Sequence, residues 1–73
     1  MERIVFNPKI LNGKPIIKGT RISVEFILEL LSSGMTQNEI VKEYGHLKKE
    51  DVLAALEFAT KTIKREEIIS PSY

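Results

Sequence analysis

Few residues in this chain could do chemistry. His46 is the single histidine, in Tyr44-Gly45-His46-Leu47. No serine or carboxylate stands at a spacing that implies a triad with it. Beside Gly45 it reads as a solvated or capping turn residue. Glu50-Asp51 has the form of a carboxylate pair, but it falls in the first turn of a helix, where acids offset the positive end of the dipole. Glu66-Glu67 is a solvated charge run. Gly13-Lys14 invites comparison with a phosphate loop. A Walker A motif, Gly-x-x-x-x-Gly-Lys-Ser/Thr, runs into a helix that meets the phosphate. Here Pro15 follows the lysine and no glycine stands at the upstream position. There is no cysteine and no visible cluster of metal-ligand residue types. The expectation is a protein that is not an enzyme and uses no cofactor or metal.

The cations carry more information. Lys9, Lys14, Lys18 and Arg21 fall early in the chain, while acids dominate the middle. Positive charge therefore collects at one end, although 11 basic and 10 acidic side chains leave a net charge of only +1. Lys48 and Lys49 open the last helical stretch, and Thr60, Lys61 and Lys64 follow on its polar face. A helix-turn-helix protein presents the start of such a helix to the major groove. Lys14, Lys18, Arg21, Lys48, Lys49 and Lys61 are the candidate DNA contacts. Glu50, Asp51 and Glu57 oppose them, and the near-neutral balance falls short of a domain that holds DNA by phosphate contacts alone.

The elements that position these groups follow from periodicity. Val24, Ile27, Leu28 and Leu31 recur at helical spacing opposite Glu25, Glu29, Ser32 and Ser33, which predicts a helix over Val24–Ser33. Ser23 suits its N-cap, and Gly34 suits the left-handed residue that ends it. Phe26 and Leu30 widen its apolar arc. Thr36 and Glu39 form a capping-box pattern for a short helix, Gln37–Tyr44. Val52, Ala55, Leu56, Ala59 and Ile63 make one stripe on a last helix from about Lys49 to Arg65. That order is a helix-turn-helix bundle over residues 23–65. Ahead of it, Met1–Phe6 reads as a strand stopped by Asn7-Pro8. Asn12-Gly13 between Ile10-Leu11 and Ile16-Ile17 predicts a two-residue type I′ hairpin. Residues 1–22 thus form a β ribbon and residues 66–73 a tail, within one domain spanning 1–73.

A single domain of 73 residues without disulfides is marginal, yet 42% of its residues are apolar. Surplus apolar surface of this kind predicts a homodimer, with Ile4, Val5, Phe6, Phe26 and Leu30 as its interface. Ile68, Ile69 and Tyr73 are apolar residues of the tail with no evident intramolecular home, and are candidates for binding a protein partner. No export signal or membrane span is visible, so the expected location is the cytoplasm, with no membrane partner.

The run Ile10-Leu11-Asn12-Gly13-Lys14-Pro15-Ile16-Ile17-Lys18-Gly19-Thr20-Arg21-Ile22-Ser23-Val24, with Leu31, Gly34, Ile40, Tyr44, Leu47, Asp51, Val52, Ala54, Ala55 and Leu56, resembles domain-of-unknown-function family 433. The resemblance extends from about Ile4 to Ala59 and is most specific in Gly-Lys-Pro…Gly-Thr-Arg-Ile. Two positions depart from the family's pattern. Gly45 stands where proline is usual, and Lys48 where Thr or Ser would cap the last helix. The resemblance implies a homeodomain-like three-helix bundle behind an N-terminal β element, in a dimer. It also implies an antitoxin of the type II kind that neutralises a small PIN-like nuclease toxin. The expected function is therefore an antitoxin binding a PIN-like toxin and operator DNA. The alternatives are a helix-turn-helix regulator without a toxin and a pure protein-interaction module.

Overall fold

The computed structural model describes residues 3–66. Two short strands, β1 (Ile4–Phe6) and β2 (Pro15–Ile17), precede three helices, α1 (Val24–Ser32), α2 (Gln37–Glu43) and α3 (Lys49–Glu66). The fold is mainly helical, a three-helix bundle behind an antiparallel ribbon, as expected. The helix ends lie within a residue of those read from the sequence.

The ribbon is paired differently from the expectation. Ile4 faces Ile17, Val5 faces Ile16 and Phe6 faces Pro15, so Ile10-Leu11 is not a strand. Pro8 and Pro15 leave only three residues for an arm before Asn12. The wider register instead turns Ile4 and Ile17 toward the helical core and Val5 and Ile16 to the other face. Asn12 and Gly13 do take positive φ, 58° and 80°, but within a single 3-10 turn, Leu11–Gly13. Leu11 joins them at φ 51°. The Ile10 N–H bonds to the Asn7 carbonyl at 2.8 Å, and the Gly13 N–H to that of Ile10 at 3.0 Å, closing the connection.

The tight reversal lies further on. The Ile17 N–H donates to the Ile22 carbonyl at 2.9 Å, and Ile16 bridges to Ser23. Gly19, at φ 82°, supplies the left-handed corner. The Thr20 hydroxyl donates to the Ile17 carbonyl at 2.8 Å and accepts the Ile22 N–H at 3.0 Å. This turn delivers the chain directly into α1.

Local chemistry sets the helix ends. Ser23 Oγ accepts the Phe26 N–H at 2.9 Å and caps α1. At the other end Gly34 has φ 105°. Its N–H reaches the Leu31 carbonyl at 3.0 Å and that of Met35 the Leu30 carbonyl at 3.2 Å, a Schellman closure. Thr36 and Glu39 form both halves of the capping box on α2, at 3.1 and 2.8 Å. Where Lys48 lacks a capping hydroxyl, its backbone N–H donates to Asp51 Oδ2 at 2.9 Å.

Ile17, Val24, Ile27, Ile40, Leu47, Val52 and Ala55 form the core. The stripe expected on α3 is shifted. Val52 and Ala55 are buried, but Leu56 and Ile63 are exposed, and Phe58 packs on the core in their place. At 1.5 Å per residue α3 is about 27 Å long. Covering its first turns requires α1 and α2 to meet the Val52–Ala55–Phe58 side, which leaves the Leu56 side free.

Candidate functional site

Arg3 and Asp51 link the ribbon to α3. Arg3 Nη1 donates to Asp51 Oδ1 at 2.8 Å, and the Asp51 side chain is 7% exposed. Asp51 thus serves as more than a dipole-compensating acid, because it fixes where β1 lies on α3. Phe6 and Phe58 continue that contact with ring centroids 6.0 Å apart. Between β1 and α3 lies a groove walled by Ile4, Phe6, Leu53 and Phe58, with Glu57 and Lys61 on its rim.

The outward side of α3 carries three large apolar side chains among Lys49, Glu57, Thr60, Lys61 and Lys64. Leu53 is 56%, Leu56 41% and Ile63 58% exposed, and Phe6, which shares the groove with Leu53, is 60% exposed. Leu53, Leu56, Thr60 and Ile63 repeat at three- and four-residue steps, so they share one face. This stripe is the feature that the sequence reading missed. Its signal was Leu53, which fits no core stripe that contains Val52 and Ala55.

The candidate interface residues are dispersed. Ile4 and Val5 are half-buried in the ribbon, and Phe6 is exposed. Phe26 is half-buried and meets Tyr44 edge-on at 5.6 Å and 90°. Leu30 is half-buried against the core. The wide apolar arc of α1 is therefore largely used within the bundle. Ile68, Ile69 and Tyr73 lie outside the described residues.

The cations divide into paired and unpaired groups. Lys14 Nζ lies 3.1 Å from Glu25, and Lys61 Nζ 3.4 Å from Glu57. Lys18, Arg21, Lys48 and Lys49 are exposed and form no ion pair among the described residues. Lys48 and Lys49 stand together at the N-terminus of α3, whereas Lys18 and Arg21 belong to the β2–α1 turn. Glu50, also exposed, sits beside the lysine pair. Among the described residues no group of three or more His, Cys, Asp or Glu side chains could hold a metal ion. No described helix is long and apolar enough to cross a membrane.

The model of the family described as "Protein of unknown function (DUF433)" matches residues 4–59. The chain belongs to the DUF433 family. The match runs from β1 to the middle of α3, so the ribbon, the Thr20 turn, α1, α2 and the first part of α3 fall within the DUF433 domain. A crystal structure of a DUF433 member protein from Anabaena variabilis superposes with a TM-score of 0.75 at 28% identity, over 88% of this chain and 66% of that one. The chain thus spans just under two thirds of that relative's length. An uncharacterized protein of Archaeoglobus fulgidus is 60% identical over 25 residues, 34% of this chain and 69% of that protein.

Proposed function

We propose that this DUF433 chain is a binding protein, the antitoxin of a type II pair, which acts in the cytoplasm by docking on a PIN-like toxin. The observation that carries the reading is the exposed Leu53–Leu56–Ile63 stripe on α3. Three large apolar side chains exposed along one helix of so small a domain make a patch of the kind that marks protein interaction sites. No catalytic role is proposed, and the chain needs no cofactor for this task. A second copy pairs through the same ribbon-and-helix side, with Phe6 and the β1 edge at its margin. Operator contact is a second activity of the same assembly. It is supported by the exposed lysine pair at the start of α3 and the unpaired Lys18 and Arg21.

Co-expression with the PIN-like product of the neighbouring reading frame tests the reading. A stable complex that Leu53→Asp abolishes is the expected result. A toxin-free chain that still retains its promoter fragment would favour the plain DNA-binding regulator. Retention of neither would leave a protein-interaction module with another partner.

A further inference from the structure

The ribbon face turned away from the helices holds a second, smaller apolar cluster. Ile16 is only 1% exposed yet stands outside the main core, and its cross-strand partner Val5 shares its face. Ile10 from the β1–β2 connection and Ile22 from the following turn, which also packs on the main core, complete the walls of an open pocket of about 670 Å³. That volume falls within the range of small-ligand sites. Arg21 and His46 line the same pocket, and both are exposed.

The carboxylates of the lining separate this pocket from the groove at β1 and α3 and from the depression by α1, both of which also hold cations. The groove at β1 and α3 carries Glu50 and Glu57, and the depression by α1 carries Glu25 and Glu29. Among the described residues the lining here includes a guanidinium and an imidazole and no carboxylate. Arg3, Lys14 and Lys61 each have a carboxylate within 4 Å, whereas Arg21 has none among the described residues. Arginine presents a planar fork of donors that matches a carboxylate, and an imidazole donates an N–H in either protonation state. Thr20 clamps the turn on both sides of Arg21, so the base of that side chain is held in place. An aliphatic floor beside an unpaired donor fork suits an anion that carries an apolar group, and a carboxylate on a branched aliphatic chain meets both requirements.

We propose that this pocket binds an aliphatic carboxylate. The branched apolar group sits against Val5, Ile10 and Ile22, over the buried Ile16, and its carboxylate meets Arg21 and His46. A free branched-chain acid and the carboxyl terminus of a chain ending in leucine or isoleucine share this chemistry. The inference does not depend on the toxin-docking reading, because the ligand site uses none of the α3 stripe, although it shares Arg21 with the proposed operator contact.

The isotope-labelled full chain titrated with N-acetyl-leucinate tests it. The expected result is saturable movement of the Ile10, Ile16 and Ile22 methyl resonances, with a midpoint on the order of a millimolar for so small a ligand. N-acetyl-leucinamide, which lacks the charge, should bind about tenfold more weakly, and acetate should not move these methyls. Arg21→Gln should weaken N-acetyl-leucinate about tenfold, the loss expected for a charged hydrogen bond, with an unchanged thermal midpoint. His46→Gln, at a separate exposed position, should weaken it several-fold. A pentapeptide ending in leucine separates the sources. Tighter binding than N-acetyl-leucinate by more than tenfold identifies a chain terminus, and equal binding identifies a free acid. Equal binding of acid and amide, equal response to acetate, no effect of Arg21→Gln, or no saturable movement at tens of millimolar would each overturn the proposal.

Discussion

Arg3 and Asp51, 48 positions apart, meet at 2.8 Å, and the second oxygen of the same carboxylate takes the Lys48 N–H at 2.9 Å. One nearly buried side chain therefore starts α3 and anchors the ribbon. Removing it leaves an orphan helix-terminal amide and an unpaired guanidinium together. Asp51→Ala should cost about 2 kcal/mol, below the loss for a fully buried pair because Arg3 is one-third exposed. Differential scanning calorimetry should show a fall of roughly ten degrees. Arg3→Ala should cost about half as much, since the cap survives. The double variant should be hardly worse than Asp51→Ala. Additive losses would show that the two contacts are energetically separate.

Leu11 holds φ 51°, a conformation that costs a branched residue roughly 1 kcal/mol and asparagine much less. Its side chain is 47% exposed, so little packing opposes a change. Leu11→Asn should raise the free energy of unfolding in urea by about 0.5–1 kcal/mol. An unchanged or lower midpoint would mean that the Leu11 side chain contributes more than its backbone costs.

Thr20 is the only side chain that bonds both limbs of the β2–α1 turn among the described residues. Thr20→Val, similar in shape, should cost about 1–2 kcal/mol by leaving the Ile22 N–H without its acceptor. Thr20→Ser should restore most of it. If valine and serine were equally tolerated in thermal melts, Gly19 alone would suffice to hold the turn.

Leu53 lies more than half exposed, so Leu53→Asp should change stability by no more than about 0.5 kcal/mol. It should nevertheless abolish partner binding and shift light scattering from dimer toward monomer. Ala55→Leu, at a fully buried position between helices, should do the opposite. It should cost about 1–3 kcal/mol by overpacking and leave the outer face of α3 unaltered. Loss of dimer in Ala55→Leu with retention in Leu53→Asp would exclude the stripe.

Operator binding should separate two kinds of lysine. Lys18→Ala should reduce the slope of log affinity against log salt by roughly one unit on every sequence, because a phosphate contact is lost. Lys49→Ala should cost about 1–3 kcal/mol and relax preference at one base pair. Glu50 beside it implies weak binding by the free chain, strengthened when a toxin joins several dimers. Titration of the promoter fragment at low salt, with and without the neighbouring gene product, measures both effects.

Helix ends were legible in the sequence because capping is local. Ser23, Thr36 with Glu39, and Gly34 each bond within a few residues, so their identities suffice to locate α1 and α2. Even the missing cap at Lys48 has its remedy three residues on, in Asp51. Strand pairing is not local. Asn12-Gly13 has the conformation its residues favour, yet Ile4 and Ile17 pair around it, because only that register puts both on the bundle. The face of α3 is decided in the same way. Val52, Ala55, Leu56 and Ile63 fit one helical stripe in isolation. Contact with α1 and α2 buries the first two with Phe58 and leaves the Leu56 side to solvent. Periodicity defines which residues share a face, but which face is covered depends on partners distant in the chain. The Arg21 pocket is the extreme case. Its walls come from both strands' neighbourhoods and its rim from the α2–α3 turn, so no spacing along the chain could reveal it.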